Sequence, residues 1–336
     1  MNPSAVLQRA WLSRGPMACC LLPLALIFKG LVALRRSLYR GGWLSTERLP
    51  VPVIVVGGIT VGGSGKTPLI LWLVENLRRR GLNPGIVSRG YGGNGQISEV
   101  GLGSDSAVVG DEPLMLKRRT LAPVFVGRDR VAAARALLAA HPQCQLILAD
   151  DGLQHYRLYR DMEIAVLDGR GLMNAWPLPA GPLREPQSRL RRVDALVING
   201  SGGETVDRGL GPARFAMRLV GASFHALDDP QRRCAAADLA NLHLAAIAGI
   251  GDPARFFEHL RQLGIRCSGH PFADHHLFSA EDLAKIEADA LLMTEKDAVK
   301  CAGLTDRPVW VLPVGAEVEP DLASMVMEKL YGRSPA

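Results

Sequence analysis

Residues Thr60–Thr67 read T-V-G-G-S-G-K-T, between the apolar run Pro52–Val56 and the helical stretch Pro68–Arg80. Strand, glycine-rich turn, Lys-Thr and helix in that order is the layout of a P-loop. Successive N–H groups of such a turn face inward as an anion nest, and the positive end of the following helix adds to it. On this reading Thr60, Val61, Gly62, Gly63, Ser64, Gly65, Lys66 and Thr67 cradle ATP. Lys66 reaches the terminal phosphates and the Thr67 hydroxyl ligates Mg²⁺. The general motif has glycine where this chain has Thr60; Gly57 and Gly58, beside Gly62 and Gly63, supply the missing backbone freedom. The plain alternative is a flexible turn ahead of an ordinary helix.

The rest of the chain alternates strands with helices. Gly81 stops the first helix. A short strand at Gly85–Val87, the glycine-rich loop Ser88–Gly95, a helix starting near Gly110-Asp111-Glu112-Pro113, a strand at Val124–Val126, a helix at Arg130–His141 and a strand at Leu146–Ala149 follow. This pattern predicts a doubly wound parallel α/β sheet of P-loop NTPase type, with its ligand at the carboxyl ends of the strands. Further strands are predicted at Glu163–Leu167, Ala195–Asn199, Ala213–Leu219, Ala245–Ala248, Ala290–Met293 and Val309–Leu312. Further helices are predicted at Pro253–Leu263, Glu281–Ala288 and Asp321–Tyr331. These form a second, smaller α/β domain, joined near Arg157–Asp161. The expected division is 1–45 for an N-terminal membrane-associated helix and its lead-in, 46–157 for the nucleotide-binding domain, and 158–336 for the second domain, whose last helix packs back on the first.

The N-terminus is read from charge and hydropathy. Met17–Phe28 is uncharged and apolar, but its twelve residues fall short of the roughly twenty a bilayer span needs. From Ile27 onward, Ile27, Leu31, Leu34 and Leu38 share one helical face, while Lys29, Arg36 and Arg40 share the opposite one. Such a helix lies in a membrane surface with its cations on anionic headgroups. A secretory signal, a short anchor with Lys29 snorkelling, and a core-packing helix are the competing readings. The net charge of +6 suits anionic membranes or phosphorylated substrates. Few aromatics, no arginine-rich tail and no zinc-finger spacing argue against nucleic acid. The six cysteines contain no C-x-x-C pair and read as reduced thiols.

Leu146–Ala149 ends in Asp150, the form expected of a Walker B carboxylate that holds Mg²⁺ directly or through water. Asp151 follows at once, and two adjacent carboxylates repel unless a cation or donor lies between them. An acidic turn after a strand is the bland alternative. For the proton-accepting half of a phosphoryl-transfer site, spacing leaves Asp111, Glu112, His155, Asp274, His275 and His276 all open.

Seven motifs narrow the choice: T-V-G-G-S-G-K-T (60–67), S-R-G-Y-G-G (88–93), G-D-E-P (110–113), D-D-G-L-Q-H (150–155), L-P-A-G-P-L-R-E-P (178–186), D-H-H (274–276) and T-E-K-D-A-V-K (294–300). In this order, nearly end to end, they resemble the tetraacyldisaccharide 4′-kinases of lipid A biosynthesis in Gram-negative bacteria. That family also has threonine at the first P-loop position. The resemblance implies transfer of the ATP γ-phosphate to the 4′-hydroxyl of an acylated glucosamine disaccharide 1-phosphate. It places the enzyme at the cytoplasmic face of the inner membrane, held by the N-terminal helix, with no obligate protein partner. It also implies Asp111 as the base-side carboxylate of an Asp–His pair, with His275 as partner and His276 adjacent to it. Glu112, Asp150, Asp151 and His155 lie around metal and nucleotide, with Asp150, Asp151, Glu112 and Thr67 as the metal set. Arg184 and His155 are candidate substrate contacts. The competing functions are a P-loop GTPase or ATPase switch and a membrane-associated ATPase without lipid transfer. T-E-K-D lacks the spacing of a guanine-reading N-K-x-D, and no D-x-x-G follows the Leu146–Ala149 strand.

Overall fold

The computed structural model describes residues 7, 9–200 and 211–332. Helices α1 (Pro16–Cys20) and α2 (Leu22–Arg40) precede strand β1 (Val53–Gly57), which leads through the glycine turn into α3 (Lys66–Arg79). Then come β2 (Pro84–Ser88), β3 (Ser98–Glu99), the short α4 (Ser106–Val109), α5 (Asp111–Thr120), β4 (Val124–Val126), α6 (Arg130–Ala140), β5 (Leu146–Asp150) and β6 (Met162–Asp168). β7 (Ala195–Asn199), β8 (Ala213–Val220), β9 (Ser223–Ala226), β10 (Arg233–Ala235), β11 (Leu244–Ala248), α7 (Pro253–Gln262) and β12 (Cys267–Pro271) follow. The chain continues through α8 (Ala280–Ala284), β13 (Ala290–Thr294), α9 (Glu295–Cys301), β14 (Val309–Leu312), β15 (Gly315–Val318) and α10 (Asp321–Tyr331).

Nine strands form one sheet in the order β15-β8-β7-β6-β1-β5-β2-β4-β3, parallel except at its two edges. β1 is apolar along its whole length because it is buried on both faces between β5 and β6. Leu69, Leu73 and Leu77 of α3 pack beneath it together with Leu322 and Val326 of α10. Six strands form the second sheet, β10-β9-β14-β13-β11-β12. Its core is separate, built on Leu244, Leu260, Leu292 and Leu312 on one face and Ile247, Met293 and Val311 on the other.

The division of the chain departs from the expected one at 157/158. β6, β7 and β8 belong to the first sheet, β6 lying in register against β1 with Ile54 opposite Met162. β15 returns from beyond the second sheet to pair with β8. Residues Arg157–Asp161 are not a linker but are tied to the first sheet: Leu158 bridges Glu47, and the Asp161 carboxylate accepts the Val53 N–H at 2.9 Å. The sheets part near Val220–Ser223.

Among the described residues no helix is long and apolar enough to cross a membrane. Leu24, Ile27, Leu31 and Leu34 of α2 are exposed along one side. The opposite side faces the body. Ala25 and Arg36 are buried there, so Arg36 is not one of a row of headgroup-facing cations, as the amphipathic pattern suggested. Lys29 and Arg40 stay exposed.

Candidate active site

The P-loop turn is fixed by backbone geometry. Gly65 has φ +96, and a Cβ there would lie 2.7 Å from the Asn199 side-chain nitrogen, so the position takes only glycine. Asn199, at the end of β7, donates to the Ser64 carbonyl at 3.2 Å. The proline-rich loop 176–186 closes against the turn: Val61 N–H donates to Pro182 and Arg184 N–H to Ile59, at 2.9 and 2.7 Å. Arg170, bound to Asp168, donates to the Gly63 carbonyl. α3 begins at Lys66, so Lys66 and Thr67 stand at its positive end.

The two carboxylates after β5 are treated differently by their surroundings. Asp151, at φ +47, pairs with Lys66 Nζ at 3.6 Å and with Arg184 Nη1 at 2.7 Å. Burial pushes its carboxyl up, but Lys66 and Arg184 outweigh burial and hold it below the usual range. Asp150 is fully buried and accepts one hydrogen bond, from Ser88 Oγ at 3.0 Å; its Oδ1 has no partner. Burial first, then the charges of Glu112 and Asp151, push its carboxyl up to about 7. A buried carboxylate with an orphan oxygen and two like-charged neighbours is a place for a cation. No three His, Cys, Asp or Glu among the described residues converge tightly enough to hold a metal by themselves. Mg²⁺ does not need them, since it takes one or two carboxylates and fills its octahedron with phosphate oxygens and water. Asp150, with Thr67 and Glu112 beside the cradle, fits that donor set. Asp151, neutralised by two side-chain cations, is the poorest fit of the four expected ligands.

Asp111 lies at the start of α5, after Gly110, whose φ of +88 and close approach to the Tyr91 carbonyl exclude any side chain. Its buried carboxylate meets His275 Nδ1 at 3.0 and 3.2 Å. His276 turns away to Asp282 and packs on Phe272 and Phe278. His275 has φ +61, a conformation that costs a non-glycine residue about 1 kcal/mol. Two lysines of α9 complete the group. Lys296 Nζ lies 3.3 Å from His275 Nε2 and 2.9 Å from Asp274; Lys300 Nζ lies 3.8 Å from Asp111 and 3.0 Å from buried Asp297. A carboxylate can only accept, so the His275 Nδ1 hydrogen points at Asp111. Burial pushes the Asp111 carboxyl up, but the His275 hydrogen bond and the Lys296 and Lys300 charges carry the balance downward. Asp111 and His275 come from different sheets and are 164 residues apart.

His155 is placed less centrally. Its neighbours are Arg130, Asp129 and Arg160, and its Nε2 is buried without a partner; burial and then Arg130 pull its pKa down to about 4. Sequence reasoning assigned no role to Lys296 and Lys300. Their i, i+4 spacing in T-E-K-D-A-V-K puts them on one face of a helix, and that was the available signal.

A glycine turn, a Lys-Thr helix start and a buried acid at the end of the adjacent strand of the sheet define a P-loop nucleotide-binding protein, here with a separate Asp–His pair. Residues 17–331 match the family described as Tetraacyldisaccharide-1-P 4′-kinase. The chain is 54% identical over 328 residues to a tetraacyldisaccharide 4′-kinase of Azoarcus sp. (strain BH72), covering 97% of this chain and 96% of that protein. It is 51% identical to one of Dechloromonas aromatica (strain RCB), covering 98% of each. A crystal structure of LpxK from Aquifex aeolicus in complex with ATP superposes with a TM-score of 0.81 at 29% identity, over 94% of this chain and 100% of that one. The chain belongs to the tetraacyldisaccharide-1-P 4′-kinase family.

Proposed function

We infer that this protein transfers the γ-phosphate of ATP to the 4′-hydroxyl of a tetraacylated glucosamine disaccharide 1-phosphate. The observation that carries the reading is the Asp111–His275 pair on the same side of the molecule as a complete P-loop, with Glu112, next to Asp111, close enough to raise the carboxyl of Asp150 by its charge. A sugar hydroxyl is a weak nucleophile at neutral pH. Asp111 accepts its proton as the new P–O bond forms, while the His275 Nδ1–H holds the carboxylate in line. Lys66 and the turn N–H groups of residues 62–65 hold the phosphates, and Arg184 stands on the Asp151 side of the same cradle. Thr67, Asp150 and Glu112 would hold Mg²⁺, which would supply charge neutralisation on the transferred group.

The exposed row Leu24, Ile27, Leu31 and Leu34 suits the acyl region of a bilayer surface, where a lipid acceptor is already concentrated. Exposed Lys29 and Arg40 suit anionic headgroups at the margin of that row. The site of action on this reading is the cytoplasmic face of the inner membrane. The test is purified protein with γ-labelled ATP and the acylated disaccharide 1-phosphate in detergent. Label must appear in the lipid. ATP consumption without labelled lipid, at the same rate with or without acceptor, would overturn the reading in favour of a plain ATPase.

A further inference from the structure

α2 does more than present an apolar face. Arg36, on its inner side, is buried to 9% exposure and pairs with Glu185 Oε2 at 3.7 Å. Glu185 is itself 2% exposed, and accepts from Gln154 Nε2 at 3.1 Å and from the Tyr156 hydroxyl. Tyr39, one turn along α2, stacks near the Tyr156 ring at 5.8 Å. Glu185 immediately follows Arg184. Gln154 joins the two, since its Oε1 accepts from Arg184 at 3.3 Å while its amide nitrogen donates to Glu185. Arg184 holds Asp151, and Asp151 holds Lys66. A membrane anchor needs none of this. A cation buried on a helix whose other side is apolar and bare requires desolvation that a surface arginine avoids. Its carboxylate partner Glu185 sits next to the arginine that meets the P-loop acid.

We propose that Arg36 is a positioning residue for phosphoryl transfer: the docked α2 sets the Glu185–Gln154–Arg184 arrangement and thereby the geometry at Asp151 and Lys66. This rests on the kinase reading above. Its consequence is that α2 matters to turnover even where membrane targeting is irrelevant.

The full-length protein is assayed with γ-labelled ATP and the acylated disaccharide 1-phosphate in non-ionic detergent micelles. Arg36→Met should lower kcat about 10- to 100-fold, the scale of a small misplacement at a reacting centre, with KM for ATP and lipid little changed. Arg36→Lys should fall between Arg36→Met and wild type. Glu185→Gln should show the same loss and add little to Arg36→Met. Leu31→Gln with Leu34→Gln, which touch only the exposed face, should reduce vesicle binding and leave kcat in micelles unchanged. An Arg36→Met enzyme with wild-type kcat, a loss confined to KM for lipid, or full additivity with Glu185→Gln would overturn the proposal. If Arg36→Met does not fold, Arg36→Lys decides. A reduced kcat at native melting temperature supports it, and a wild-type kcat overturns it. A wild-type enzyme that labels no lipid defeats the kinase reading itself, whereas an active wild type with indifferent Arg36 variants defeats only this proposal.

Discussion

Lys300→Met tests whether the lysines of α9 hold the second half of the site together. Lys300 Nζ is 3.0 Å from Asp297 Oδ1, which has no hydrogen-bond partner, and Asp297 is fully buried. At an effective dielectric of about 20, a unit pair at this separation attracts by about 5 kcal/mol, and Asp111, at 3.8 Å, adds a comparable attraction. Desolvating the ammonium offsets much of that. Removing the lysine does not recover the loss, because Asp297 stays buried with its charge uncompensated, and breaking such a pair costs about 3–5 kcal/mol. Methionine keeps the stem volume, so the effect is electrostatic. Urea unfolding followed by circular dichroism should show that loss as a lower midpoint at similar slope. Adding Asp297→Asn, which removes the stranded charge and keeps an acceptor for the Thr294 hydroxyl and the Gly249 N–H, should return a good part of the stability. A loss below about 1 kcal/mol for Lys300→Met, or a double variant weaker than the single by the full Asp297→Asn effect, would refute the reasoning.

Lys66→Ala, with native circular dichroism, should lower turnover by about 100-fold or more, since positioning and charge neutralisation supply most of the catalysis in phosphoryl transfer; a wild-type rate would remove Lys66 from the cradle. Asp111→Asn should depress kcat with little change in KM for ATP, and His275→Ala should act on the same step without adding to it, as a double-mutant cycle on kcat would show. His155 titrates near 4 in the fold against an ordinary 6.5, so the unfolded chain binds the extra proton between those values. Its stabilising contribution is whole above about pH 6.5 and is lost as pH falls toward 4, by about 2 kcal/mol once solvent screening is allowed for. His155→Gln should flatten that part of the stability–pH curve, and an unchanged slope would sink the assignment.

Much of this fold was legible locally. The β1–turn–α3 unit, the strand ending at Asp150 and the helix beginning at Asp111 each carry their own punctuation: an apolar run, a glycine, an acid or a proline in a fixed place. Partnership was not legible. The run at 163–167 declares itself a strand, yet nothing in it says that its neighbour is β1, far earlier in the chain, and so the boundary expected from sequence falls too early. α9 was missed because seven residues with a buried aspartate and two lysines show no apolar periodicity; its residues answer to Asp111 across the molecule. Arg36 was misread for the same reason. On a helical wheel it belongs with Lys29 and Arg40, and only Glu185, distant in sequence, distinguishes it.

The Asp111–His275 pair is assembled from two sheets, and neither sheet holds a complete proton acceptor. If they swing apart, Asp111 keeps its place beside the P-loop but loses His275, Lys296 and Lys300 together, since all three ride on the second sheet's connections. ATP can then occupy its cradle beside a carboxylate with nothing to orient it. In this structure the pair is closed, with His275 Nδ1 at 3.0 Å from Asp111, so the packing of one sheet's connections against the other's is itself part of the site's geometry.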